Sequence, residues 1–62
     1  MRVLAITSPD DYSPEDVVKM NRGESEDQAF LRWIKANKKW TDGIADDIIL
    51  SDAEYVWQEY EV

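Results

Sequence analysis

Ser51-Asp52-Ala53-Glu54-Tyr55-Val56-Trp57-Gln58-Glu59-Tyr60-Glu61-Val62 is the stretch on which the fold turns. Its local signals conflict. Ser51 to Glu54 forms a capping box, and Ala53, Val56, Trp57 and Tyr60 recur at i, i+3, i+4 and i+7, as on a helix face. Tyr55-Val56-Trp57 and Tyr60-Glu61-Val62 have the composition of a strand. The rest of the chain breaks the tie. Val3 to Thr7 is aliphatic and β-branched, and Asp47 to Ser51 carries the aliphatic run Ile48-Ile49-Leu50, so both read as strands. A terminal helix would leave these two as an isolated parallel pair. A hairpin turning near Ser51–Ala53 gives three strands instead. Residues 54–62 are therefore expected to be a strand, with a helical C-terminal segment and a mostly-α domain as the alternative.

Two helices lie between the outer elements in this reading. Ser13 precedes Pro14 and Glu15-Asp16, which places a capping hydroxyl, a first-turn proline and two acids at the positive end of a helix dipole. A short helix from about Pro14 to Asn21, stopped by Gly23, follows. Ser25 with Gln28 three residues later opens a longer helix expected to reach Trp40. On its wheel Ala29, Trp33, Ala36 and Trp40 cluster, flanked by Phe30 and Ile34, as the core face. Arg32, Lys35, Lys38 and Lys39 take the opposite arc, none with an acid four residues earlier, so their counter-charges must come from elsewhere in the fold or from a partner. Thr41-Asp42-Gly43 reads as a turn. The expected architecture is a single small α+β domain over residues 1–62, ordered β-α-α-β-β, with a three-stranded sheet and two helices packed on one face.

At 62 residues such a domain leaves only a narrow margin of burial over chain entropy. There is no Cys and no His, so disulfides, thiolate chemistry and imidazole ligation are excluded. An enzyme is not expected. Only carboxylates, Lys, Tyr, Ser and Thr remain for chemistry, and so short a chain has little room for a cleft that would desolvate and tune an acid. The two glycines, Gly23 and Gly43, lack the spacing of a phosphate loop. Asp42 with Asp46 and Asp47, or Asp10 with Asp11, offer hard oxygens but not the ligand spacing of a calcium loop, and they read as turn and capping residues. No cofactor or metal is expected. No run is long enough for a membrane span, and the first residues lack the pattern of a signal peptide, so a cytoplasmic location is expected.

Charge is the main functional clue. Residues 1–18, 19–40 and 41–62 carry net charges of −3, +3 and −7, for a total of −7. The last segment holds seven carboxylates and no base, yet contains Tyr55, Trp57 and Tyr60. That combination describes an ordered acidic surface, since an acidic tail would lack apolar residues to anchor it. With residues 54–62 as a strand, Tyr55, Trp57, Glu59 and Glu61 share one face, and Val56 and Tyr60 are expected to point to the core. The interleaved bases and tryptophans of Arg32 to Trp40 do not make a nucleic-acid site, because the wheel places the tryptophans away from the bases and the net charge opposes phosphate.

The expected activity is binding of a basic protein surface through Asp46, Asp47, Asp52, Glu54, Tyr55, Trp57, Glu59 and Glu61. Aromatic anchors would supply contact area, and the acids would supply steering and charge-assisted bonds. Small, acidic, cysteine-free domains of this kind resemble phage- or plasmid-encoded inhibitors of nucleases, restriction or CRISPR effectors, or polymerases, a resemblance of size and charge without a motif behind it. It implies a DNA-mimic-like inhibitor of a nucleic-acid-binding protein, working in the cytoplasm of a host cell. The alternative is a structural or assembly protein that forms a homodimer through its C-terminal strand.

Overall fold

The computed structural model describes residues 1–10 and 13–62, and everything below concerns those residues. Three strands and two helices follow the order β1 (Arg2–Thr7), β2 (Pro14–Lys19), α1 (Glu26–Asn37), a 3-10 turn (Lys39–Thr41), α2 (Asp46–Asp52) and β3 (Val56–Glu61). The small α+β class, the three-stranded sheet and the pair of helices are those expected. The order is β-β-α-α-β rather than β-α-α-β-β, because two segments exchange roles.

Residues 14–19 form a strand, not a helix. The Ser13-Pro14-Glu15-Asp16 cap signal is local and weak. The competing term is the pairing β1 needs, which β2 supplies as an antiparallel hairpin, Val3 opposite Lys19 and Ala5 opposite Val17. Strand alternation turns Val18 and Met20 toward the core, and Pro14 is tolerated because it is the first residue of an edge strand. Asp46–Asp52 forms α2, not a strand. Asp46 and Asp47 occupy its first turn, where the helix dipole favours them, and Ala53 closes it by donating its N–H to the Ile49 carbonyl at 2.9 Å. A helix lets Ile49 go fully inward with Leu50 and Ala53 beside it, while Ile48 stays exposed.

β1 is central, with strand order β2-β1-β3 and both pairings antiparallel. Its Leu4 and Ile6 enter the core with Met20, Ala29, Phe30, Trp33, Ile34 and Ile49. The Ser25 capping box forms as expected, with Gln28 N–H to Ser25 Oγ at 3.1 Å and Ser25 N–H to Gln28 Oε1 at 2.9 Å. α1 stops at Asn37 because Lys38 is extended at φ −127°. Trp40 is thereby carried off the core face and left 50% exposed, contrary to the wheel. Gly43, at φ +77°, turns the chain from there into α2, a conformation glycine adopts without strain.

Candidate functional site: the acidic surface

The expected alternation of β3 is present with its sense reversed. Tyr55, Trp57 and Glu59 face α1, whereas Val56 and Tyr60 face outward, at 57% and 50% exposure. The cause is Phe30. Its fully buried ring stacks on the Trp57 indole with centroids 3.8 Å apart and planes within 9°, and Tyr55 closes the group edge-on to Trp33 at 5.5 Å. Trp57 and Tyr55 together bury more apolar area against α1 than Val56 and Tyr60 could, so they take the inner face. Tyr55 and Trp57 are therefore half-buried structural groups. The Trp57 indole N–H donates to Asp27 and that of Trp33 to Asp16, which satisfies both polar ends.

The carboxylates divide into two sets. Glu59 accepts a two-pronged bond from the Arg2 guanidinium, both contacts at 2.9 Å, while Arg2 also donates to the Glu24 carbonyl at 2.7 Å. This pairing holds the Glu59 carboxyl below its usual range. Glu61 lies 3.2 Å from the Met1 ammonium, and Asp46 pairs with Lys35. Glu24 receives two bonds from Arg32 and one from the Asn21 N–H, and its pKa falls to about 2. Lys38 lies beside the Tyr55 hydroxyl and reaches Glu15 at 3.4 Å, and its pKa is raised, first by Tyr55 and then by Glu15. Arg32 and Lys35 of α1, and Lys38 just past its end, thus find counter-charges at Glu24, Asp46 and Glu15, only one of them in the acidic C-terminal segment, while Lys39 makes no ion pair among the described residues.

Asp42, Asp47, Asp52 and Glu54 form the second set, together with Asp10. Among the described residues none of these carboxylates takes a hydrogen bond or ion pair. Asp10, Asp52 and Glu54 come together with Ser8, Pro9, Trp40, Ala53 and Tyr55 around an open groove of about 260 Å³. The sequence reading missed Asp10 and Trp40. In the sequence Asp10 reads as an ordinary turn residue, and the wheel places Trp40 in the core. The turn at Thr41-Asp42-Gly43, one residue past Trp40, was the available signal that the helix had already ended. Of the eight expected contact residues, Asp52, Glu54 and Tyr55 meet at this groove. Asp47 stands on α2, and Asp46, Trp57, Glu59 and Glu61 are engaged within the fold.

The described residues hold no cluster of three or more acids arranged to bind a metal, and Asp11, half of one pair considered from the sequence, lies outside them. No helix among them is long and apolar enough to cross a membrane.

The sheet edges bear on self-association. Met20 N–H donates to the Arg2 carbonyl and Val62 N–H to the Met1 carbonyl. By the alternation of an antiparallel ladder, Val17 and Lys19 on β2, and Trp57, Glu59 and Glu61 on β3, direct their backbone groups outward. Side chains occupy several of these. Val17 N–H donates to Asp16 at 2.8 Å, the Lys19 carbonyl accepts from Arg32 at 2.8 Å, and Glu59 N–H donates to Glu26 at 3.1 Å. A second strand pairing along β3 would have to displace Glu26, and Tyr55 and Trp57 are packed on Phe30.

No protein-family model matches the chain, and no curated protein or solved structure resembles it at a significant level.

Proposed function

We propose that the chain is a small acidic binding module that inhibits a nucleic-acid-binding protein by occupying its basic surface. The observation that carries this reading is the division of the carboxylates. Those not engaged inside the fold include three that ring a groove beside a half-exposed tryptophan, and they retain their full capacity to accept bonds from Arg or Lys. Carboxylates held on a folded frame can stand where phosphates would, and Trp40 adds a flat surface for the stem or guanidinium of a cation. The net charge of −7 steers the module toward basic partners and away from phosphate itself.

The contact set differs from that expected from the sequence: Asp10, Trp40, Asp52, Glu54 and Tyr55, with Asp42 and Asp47 as further unpaired acids. Affinity capture from lysate at low salt tests the reading, using wild type and the Asp52→Lys/Glu54→Lys variant. A nucleic-acid-binding protein retained by wild type, lost by the variant, released by salt and displaced by DNA or RNA is the expected result. Captured proteins indifferent to both salt and the variant would refute the proposal.

A further inference from the structure

The helix-free face of the sheet is the second unusual surface of this molecule. Strand parity and the two registers place Met1, Val3, Ala5 and Thr7 of the central strand on it, with Val17 and Lys19 on one side and Val56, Gln58 and Tyr60 on the other. A solvated sheet face ordinarily alternates to polar residues, whereas here Val17, Val56 and Tyr60 are 59%, 57% and 50% exposed. Glu15 stands at the irregularity opposite Ile6 and Thr7, and it reaches the helix side to meet Lys38. Among the described residues this face therefore carries no acidic side chain, although the chain has 14 of them, and Lys19 is its one charged side chain.

We infer that this face is a self-association surface whose occupant is a second copy of the chain, stacked sheet on sheet. The charge distribution selects that occupant. A basic partner is drawn to the acidic side, whereas two copies of charge −7 can approach closely only where no carboxylate stands between them. The geometry is self-complementary as well. Lys19 and Tyr60 flank Val3 in a single row across the sheet. A two-fold axis parallel to β1, lying between two stacked sheets, sets the β2 side of one copy over the β3 side of the other. Lys19 of each copy then comes over the Tyr60 ring of its partner, a cation–π pair made twice around a centre of Val3, Ala5, Val17 and Val56. Three strands of six residues give a flat footprint of about 300 Å², which places the dimer in the weak, concentration-dependent class.

Sedimentation equilibrium of the full chain, from micromolar to millimolar concentration and at low and high salt, tests the inference. Wild type is expected to dimerise reversibly and to tighten as salt screens the net charge, opposite to the salt response of a basic partner at the groove. Val17→Lys, which adds two cations to the symmetric contact, is expected to weaken dimerisation at least about tenfold while leaving the circular dichroism unchanged. Asp52→Lys/Glu54→Lys is expected to leave it intact, so failure of the groove and failure of this face are told apart. A wild type that stays monomeric at millimolar concentration in both salts, or a Val17→Lys variant that dimerises like wild type, would overturn the inference.

Discussion

The two faces of the sheet are built from the same three strands and do opposite work. Under α1, Leu4 and Ile6 are fully buried and Trp57 lies flat on Phe30. On the other face, Val17, Val56 and Tyr60 stand in water with nothing over them. What separates the faces is the size and reach of the residues at alternate positions, not hydrophobicity, since both are largely apolar. The inner positions of β3 hold Trp57 and the ion-paired Glu59, which one helix can cover. The outer face centres on the short side chains of Val3, Ala5, Val17 and Val56, which a flat partner can cover, with Lys19 and Tyr60 flanking them.

Substitutions should register this difference, beginning with the largest effect. Phe30→Ala removes the ring against which Trp33, Tyr55 and Trp57 pack, and it is expected to cost about 3–5 kcal/mol, comparable to the whole stability of a domain this small. Denaturant unfolding followed by tryptophan fluorescence measures it, and a loss under about 1 kcal/mol would mean that the stack is not the core. Glu59→Lys, also on the inner face, sets a second cation beside Arg2 and Glu24's carbonyl. A clear fall in melting temperature is expected, smaller than for Phe30→Ala, with partial recovery in the exchanged pair Arg2→Glu/Glu59→Arg. Ser25→Ala, which uncaps the covering helix, should cost about 1 kcal/mol in the same assay.

The Glu24 knot adds a pH dependence to the inner side. Its carboxyl is held down to about 2 from an ordinary value of 4.5, mainly by Arg32. A depressed carboxylate stabilises the fold above its unfolded value, and that contribution is lost as pH falls through the folded one. Wild type is therefore expected to lose stability between about pH 4.5 and 2 that Glu24→Gln never had, and the two melting curves should converge at the acid end. Parallel curves across that window would remove Glu24 from the account. The smallest effect belongs to the outer face, where Val17→Lys should change unfolding stability by no more than about 0.5 kcal/mol. A larger loss would show that this face is covered within the monomer.

How much of this was legible in the sequence depends on how local each cause is. The Ser25–Gln28 box and the inward residues Ala29, Phe30, Trp33 and Ile34 could be read because a cap and a helix stripe are settled within a few residues, whereas Ala36 and Trp40 of the same expected stripe are exposed. Pro14–Lys19 and Asp46–Asp52 exchanged roles because their local signals were misleading. Ser13-Pro14-Glu15-Asp16 is a good helix start, and Ile48-Ile49-Leu50 is a good strand. What overrode both was the hairpin partner of β1 and the single inward position of Ile49. Along β3 the alternation was legible and its sense was not, since the sense depends on where Phe30 lies. The acidic site shows the same limit. Asp52 and Glu54 are available to a partner, whereas Glu59 and Glu61 are held by the N-terminal strand, and that distinction requires contacts between opposite ends of the chain.

The side chains lying along the sheet edges have a consequence for how the protein behaves in bulk. A strand edge with free N–H and C=O groups is a template on which other chains can grow as cross-β fibres, and a three-stranded sheet has proportionally more edge than a larger one. Here Glu26 interrupts one edge at Glu59, and Asp16 with Arg32 interrupts the other at Val17 and Lys19. Concentrated solutions are therefore expected to stay free of fibrils. Glu26→Ala together with Arg32→Ala should shorten the lag of thioflavin-positive aggregation, which would identify these polar contacts as the barrier that keeps a sheet with so much exposed valine from polymerising.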